Sequence, residues 1–324
     1  MKKNNIFIIS SPLQLLNSIE AHNYFKTKNN ILIIIDTDEK NNEIQILNLI
    51  PLVEWKEIIY IKLPQNNRNR VLFYLDVKKA LRDIKKDSIK KLFLGEYRSA
   101  HVTHIANYLN VKQIYLVDDG TAVLFYDKYI QKSFKHKIRA FIYKIFFYNL
   151  KNIEFTFFTS FNLEKKNSIT NKYLYTKSIL NNKEYEDNIF FIGQPLVELD
   201  MISQENYKIE ITKILKYYES KEFIYILHRR QKEKFIKELS EELGFTYKRF
   251  EQLIEIEMVL SKKFPLEFST IYSTAILLLP KIIEKCKFKA FKIDDSLNKK
   301  SPYIKALPTY YQEFSKNKIE VIEL

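Results

Sequence analysis

The residues best placed to do chemistry are two adjacent carboxylates, in the run Ile114-Tyr115-Leu116-Val117-Asp118-Asp119-Gly120-Thr121. Four apolar residues predict a buried parallel strand. In open α/β sheets the carboxyl ends of strands border the ligand crevice. A carboxylate there can take a proton from a substrate, and a second beside it raises its proton affinity. Gly120 permits a tight turn out of the strand. A single Asp in such a place serves as a helix N-cap. The whole run, taken with the features below, points to catalysis by Asp119 or Asp118.

A second constellation repeats this logic. Phe223-Ile224-Tyr225-Ile226-Leu227 predicts another buried strand, and His228-Arg229-Arg230 follows it. Histidine can donate a proton near neutral pH, and arginine grips phosphate with two parallel hydrogen bonds. Arg229, Arg230 and Lys232 at a helix start oppose the helix dipole, and an anionic ligand would remove that conflict. Next, Ser269-Thr270-Ile271-Tyr272-Ser273-Thr274 precedes the apolar helix Ala275-Ile276-Leu277-Leu278-Leu279. Hydroxyls at such a place cap the helix or, with free backbone N–H groups, hold phosphate. The opening Ser10-Ser11-Pro12-Leu13-Gln14 joins the first strand to the first helix. Proline suits the first helical turn, and Ser11 and Gln14 are candidates to line a cleft.

Short apolar strands alternating with amphipathic helices must position these groups. Strands are predicted at 5–10, 31–36, 57–63, 91–95 and 113–117, with helices at 12–24, 41–49, 71–84 and 100–109 between them. Such a βαβ series implies a doubly wound sheet with all strand ends along one rim. Residues 152–187 are polar and mixed, with short strands at 154–159 and 173–177. A second βα series begins at Asn188-Ile189-Phe190-Phe191-Ile192-Gly193-Gln194-Pro195 and runs to the end. The expected domains are therefore 1–187 and 188–324: two Rossmann-like halves facing each other across a cleft. Residues 132–149 are helical in period, basic and rich in aromatics. They suit a helix packed on a domain or one lying on anionic lipid.

Composition narrows the classes. The chain has 324 residues, enough for two domains. One cysteine, Cys286, permits neither an internal disulfide nor a cysteine-based metal site, and the five histidines form no His-Glu-x-x-His pattern. The formal charge of +14 suits phosphorylated ligands or anionic lipid. The lysines are dispersed and no nucleic-acid motif is present, so nucleic acid ranks low. The first apolar run is too short for a signal peptide, and no apolar stretch reaches the ~20 residues that span a bilayer. A cytoplasmic or membrane-peripheral location is expected. Only four glycines occur, and three of them (Gly95, Gly120 and Gly193) end apolar strands. No Gly-x-Gly-x-x-Gly or P-loop is possible.

In this order and context, Asp118-Asp119-Gly120, His228-Arg229 and Ser273-Thr274 resemble the three short motifs of bacterial GT-B sialyltransferases. The chain looks most like the glycosyltransferase family 52 lipooligosaccharide sialyltransferases and related capsule or O-antigen enzymes. Ser-Pro-Leu-Gln-Leu-Leu-Asn at its start and Tyr-Ser-Thr-Ala-Ile-Leu near Ser273 add to the likeness, which spans nearly the whole chain. Arg229 stands where that family has proline. The resemblance implies inverting, metal-independent transfer of sialic acid, or a related nonulosonic acid, from a CMP-activated donor to a glycan hydroxyl. Asp119 would be the base, with Asp118 orienting it, and His228, Ser273 and Thr274 would stabilise the departing phosphate. Arg229 and the run Gly193, Gln194 and Pro195 would touch the donor; Ser11, Gln14 and Gly120 would face the acceptor. Glu198 and Asp200 are rival bases. No cofactor is implied. The expected partners are the donor, an acceptor that can be lipid-linked, an anionic inner-membrane surface and a second copy in a homodimer. Two other functions fit the residues: a hexosyltransferase using a UDP- or GDP-sugar, and a non-catalytic polysaccharide-assembly protein.

Overall fold

The computed structural model describes residues 3–37, 40–63, 70–97, 99–120, 123, 154–163, 167–180, 184–293, 297–298, 300–301, 304 and 307–324. The chain divides into two compact units, Met1–Tyr175 and Thr176–Leu324. The basic aromatic segment 132–149 and Thr121 lie outside the described residues.

The first unit holds a seven-stranded sheet of order β3-β2-β1-β4-β5-β6-β7. Its strands are β1 (Asn4–Ile9), β2 (Asn30–Asp36), β3 (Glu57–Lys62), β4 (Ile89–Leu94), β5 (Ile114–Val117), β6 (Thr156–Thr159) and β7 (Ser168–Thr170). Every neighbouring pair is parallel, so all carboxyl ends share one rim. Helices Pro12–Phe25, Lys40–Leu49, Arg70–Ala80 and Ala100–Leu109 alternate with the first five strands. β1 is buried at all six positions, and its apolar run Ile6–Ile9 is what a central parallel strand requires. Its Phe7 stacks on Phe93 of β4, and Phe93 stacks on Tyr115 of β5.

The second unit holds a six-stranded sheet of order β10-β9-β8-β11-β12-β13. The strands are β8 (Glu184–Ile192), β9 (Glu222–Ile226), β10 (Thr246–Lys248), β11 (Lys263–Thr270), β12 (Lys287–Lys292) and β13 (Glu320–Glu323), again all parallel. Helices Gln204–Tyr217, Glu233–Leu243, Ile254–Leu260, Ala275–Ile282 and Leu307–Lys316 connect them. The aromatic core runs through Phe191, Phe223, Tyr225 and Phe245.

Three expectations shift. The strand predicted at 173–177 is a helix, Leu174–Leu180. Its Tyr-Leu-Tyr-Thr run has β propensity, but the Asn171 side chain accepts from the Tyr173 N–H and Tyr173 takes a left-handed φ of 50°, turning the chain into the helix. The division between units falls within this helix rather than after residue 187. Tyr175 is tied to the first unit through its N–H to Glu20 and its hydroxyl to the Leu52 carbonyl. β8 begins at Glu184, four residues before the predicted start, because Glu184–Glu186 already pair with Lys263–Pro265 of β11.

Candidate functional site

In the first unit the site is built at the ends of β1, β4 and β5. β5 delivers Asp118 and Asp119 in succession, and the period of two sends them different ways. Asp118 is 1% exposed. Its carboxylate accepts from the Ser160 N–H at 2.8 Å and from the Ser160 hydroxyl at 3.3 Å, tying the end of β5 to the end of β6. Its carbonyl accepts from Asn17 of the first helix at 3.0 Å. Asn17 is itself held by Asn171 and by the Tyr173 hydroxyl, at 3.2 and 2.6 Å. Asp118 is thus one member of a buried polar network that fixes where the strand stops.

Asp119 is half-buried and lines a shallow pocket with Gly95, Glu96, Tyr97 and Val123. The Ser11 hydroxyl donates to its carboxylate at 3.4 Å, and Ser11 also caps the first helix by accepting from the Gln14 N–H. A carboxylate at a helix N-terminus interacts favourably with the helix dipole. Gly120 follows with φ of 58°, a left-handed conformation that suits glycine.

Gln14, expected on the cleft wall, is 2% exposed. Its Oε1 accepts from the Ser10 N–H at 2.8 Å and from the Ser10 hydroxyl at 3.2 Å. It fits there because Gly95 has no side chain; a Cβ on Gly95 would overlap the Gln14 side chain. Gly95 in turn donates its N–H to the Ile8 carbonyl. Gln14 therefore builds the turn beneath the rim instead of the rim surface.

In the second unit three adjacent strands bring the predicted donor residues to one rim: β9 ends before His228, β8 before Gly193, and β11 before Ser273. The Thr270 hydroxyl bonds the Ile192 carbonyl at 2.8 Å, closing β11 onto β8 where the winding direction changes. Such switch points are where open α/β sheets bind ligands. Ser273 is buried, and its hydroxyl accepts from the Ala275 N–H at 3.3 Å; Thr274 is exposed. Gln194 is half-buried, whereas Pro195 is buried.

The His228 loop is braced from below. Gln231 is 6% exposed; its Oε1 accepts from the His228 N–H at 2.9 Å, and its Nε2 donates to the Tyr225 hydroxyl at 2.7 Å. That hydroxyl pairs with the hydroxyl of Tyr207. A Cβ on Gly193 would overlap both Tyr225 and Gln231. Arg249 donates to the carbonyls of His228 and Gln231. His228 Nδ1 accepts from the Arg230 N–H at 3.2 Å, so in the neutral ring the proton sits on Nε2. Burial, with Arg229, Arg230 and Arg249 nearby, pushes the imidazole down to about 4. At neutral pH this ring is an N–H donor, not a proton carrier.

The rival carboxylates have other partners. Glu198 accepts from the Lys232 N–H at 2.8 Å, capping the helix that follows the His228 loop. That contact answers the dipole conflict of the basic run without a ligand. Asp200 is exposed, at φ of 52°, and bonds Asn298. Sequence reasoning missed Ser160, Asn17, Gln231 and Arg249. The sequence cue for Gln231 was its place three residues beyond a strand-end histidine; for the others the contacts are long-range and leave no local pattern. Among the described residues, no group of three or more His, Cys, Asp or Glu could hold a metal ion, and no helix is long and apolar enough to cross a membrane.

Solved structures share this architecture. The UDP-GlcNAc 2-epimerase of Neisseria meningitidis, bound to UDP-GlcNAc, superposes with a TM-score of 0.55 at 10% identity, over 100% of this chain and 87% of that one. The UDP-GlcNAc 2-epimerase of Methanocaldococcus jannaschii gives 0.54 at 14% identity, over 100% and 89%. The chain has a GT-B-like fold. At such identities the likeness establishes the fold alone. No protein-family model matches the sequence. No curated protein matches it either.

Proposed function

We propose that this GT-B-like chain is a nucleotide-sugar enzyme and, within that class, an inverting, metal-independent glycosyltransferase. It would move sialic acid or a related nonulosonic acid from a CMP-activated donor to a hydroxyl of a bacterial surface glycan. One observation carries the reading: a half-exposed carboxylate, Asp119, ends a strand of the first sheet, and a neutral imidazole flanked by arginines, His228, ends a strand of the second. The choice of CMP over UDP rests on the resemblance of the Asp118-Asp119-Gly120, His228-Arg229 and Ser273-Thr274 motifs.

In this scheme Asp119 takes the proton of the acceptor hydroxyl as its oxygen bonds to the anomeric carbon. The bond from that carbon to the CMP phosphate breaks, its electron pair leaves on the phosphate, and the configuration inverts. Asp118 holds the β5 end so that Asp119 keeps its place. His228 donates a hydrogen bond from Nε2 to the leaving phosphate; Arg229, Ser273 and Thr274 add charge and hydrogen bonds. Gly193, Gln194 and Pro195 border the nucleotide.

Incubation with CMP-Neu5Ac or UDP-GlcNAc, each with a neutral oligosaccharide, tests the reading by which nucleotide is released. Release of CMP with transfer of the sugar is expected, and it should persist in EDTA. Turnover of UDP-GlcNAc alone overturns the donor; turnover of neither favours a non-catalytic assembly protein. His228→Ala should lower kcat roughly 10²–10³-fold, the usual loss for one oxyanion donor. The pH–rate profile should show no limb near 6.5 that vanishes in His228→Asn, because the ring is neutral above about 4.

A further inference from the structure

Asn17 lies in the middle of the first helix, Pro12–Phe25, and is fully buried. Asparagine favours helices poorly, and a buried amide needs partners for two donors and for its carbonyl oxygen. Asn17 has them all. Its Nδ2 donates to the Leu13 carbonyl at 3.1 Å and to the Asp118 carbonyl at 3.0 Å. Its Oδ1 accepts from Asn171 Nδ2 at 3.2 Å and from the Tyr173 hydroxyl at 2.6 Å. With Oδ1 committed to two donors, Nδ2 has one way to face, toward the two carbonyls.

The two segments that this amide joins meet again on the rim. Leu13 stands in the first helical turn, just after Ser11 and Pro12, and Asp118 directly precedes Asp119. The Ser11 hydroxyl donates to the Asp119 carboxylate at 3.4 Å. The Leu13 side chain also comes within 3.5 Å of where a Cβ on Gly120 would stand, one residue beyond Asp119. A peptide unit is planar, so a held Asp118 carbonyl fixes the direction in which the chain enters Asp119. The Asp118 carboxylate is anchored separately, on Ser160.

We propose that Asn17 is a positioning residue for Asp119: its buried amide sets the carboxylate against Ser11 and the amino end of the first helix. The inference rests on the reading of Asp119 as the base but not on the identity of the donor. Asn17 itself touches no substrate. It acts on the rate through the place of Asp119, where a displacement of about 1 Å can cost 10²-fold.

Asn17→Ser tests it in the full chain. Serine inside a helix returns its hydroxyl to the carbonyl four residues earlier, which keeps Leu13 partnered and cuts the tie to Asp118. Crystal structures should show the Ser11 hydroxyl and the Asp119 carboxylate at hydrogen-bond distance in the native chain and apart in the variant. The kcat for sugar transfer should fall about 10²-fold with the donor KM unchanged. Tyr173→Phe is the control, because it removes one buried hydrogen bond and leaves the other three to hold the amide. It should lower the urea midpoint and keep kcat near the native value. If Asn17→Ser does not fold, Asn17→Asp takes its place: it keeps the shape and turns an oxygen toward both carbonyls, which repels Asp118. An Asp119 that stays on Ser11 in the folded variant overturns the proposal, as does a Tyr173→Phe chain that loses as much kcat as Asn17→Ser. The crystal structures need no substrate, so a chain that transfers no sugar still decides the placement. A displaced Asp119 with native turnover sinks the reading of Asp119 as the base and leaves the placement by Asn17 standing.

Discussion

Four adjacent strand ends in each sheet make a direct comparison. In the first unit β2, β1, β4 and β5 end in Asp36, Ser10-Ser11, Glu96-Tyr97 and Asp118-Asp119. In the second, β10, β9, β8 and β11 end in Arg249, His228-Arg229-Arg230, Gly193-Gln194 and Tyr272-Ser273-Thr274. One rim presents acceptors and negative charge; the other presents donors and positive charge. Beneath both lies the same device. A buried glutamine accepts the N–H of a rim residue and occupies the space left by a glycine, Gln14 with Gly95 and Gln231 with Gly193. The device spans β1 and β4 in the first sheet but β9 and β8 in the second, so it is not a copy carried along with the topology. The loop above it also differs. The first helix starts three residues after β1, at Pro12, whereas the helix after β9 starts only at Glu233, leaving room for His228, Arg229 and Arg230 to stand on the rim. The scaffold needs a rigid turn in both places, and the charge on top of it is free to diverge.

The largest effect should come from separating the two adjacent carboxylates. Asp119→Asn removes the base and keeps the shape, so kcat should fall about 10³-fold, within the usual range for a general base. The unfolding midpoint should barely move, because the side chain is half-exposed. Asp118→Asn should show the reverse balance. Its carboxylate accepts both the N–H and the hydroxyl of Ser160 in a buried place, so urea unfolding should show a loss of about 1–3 kcal/mol. If Asp118→Asn were as inactive as Asp119→Asn while equally stable, the division of labour between them would be wrong.

That division could not be read from the sequence. Asp-Asp-Gly after four apolar residues located the strand end and its rim, because a buried parallel strand and a turn glycine are local signals. Which Asp turns inward depends on Ser160 and Asn17, which are 42 and 101 residues from Asp118. The helical and strand periods likewise located nearly every element between Asn4 and Val117. Residues 173–177 failed because β-favouring side chains were overruled by the turn that Asn171 and the left-handed Tyr173 make ahead of the helix. Gln14 was read as a surface group because polarity is the only thing a sequence shows of it; burial came from a glycine 81 positions away.

The next effect concerns one histidine in each unit, His104 buried and His228 half-buried. His104, on helix Ala100–Leu109, is 3% exposed, and burial together with His101 and Lys78 pushes it down to about 4. His228 is pushed down to about 4 on the basic rim. For both, the unfolded chain takes up the proton first as pH falls. Stability is therefore complete above about pH 6.5 and declines toward pH 4. His104 alone should contribute roughly 3 kcal/mol to that decline, and His104→Gln should flatten the curve. Adding CMP sharpens the comparison. NMR titration should show His228 rising when the phosphate supplies a negative charge, with His104 unchanged in the core. If CMP moves neither, the basic rim is not where the nucleotide binds.

The smallest effect tests the shared glutamine device itself. Gly193→Ala places a Cβ against the Tyr225 ring and Gln231 at once, and overpacking of this kind costs about 1–3 kcal/mol. Gly95→Ala meets the Gln14 amide and also the Gln14 Cβ, which no rotamer change moves, so its cost should fall in the same range. Second substitutions separate the two cases. Gln14→Ala removes the clashing amide opposite Gly95→Ala and should recover part of the lost stability, although the Ser10 N–H then lacks its acceptor. Gln231→Ala leaves the Tyr225 ring in place opposite Gly193→Ala and should recover none. The coupling energies from these two cycles should therefore differ in size. Equal coupling would mean that the second unit's turn is held by its glutamine alone, and that the tyrosine beneath it contributes nothing to where His228 stands.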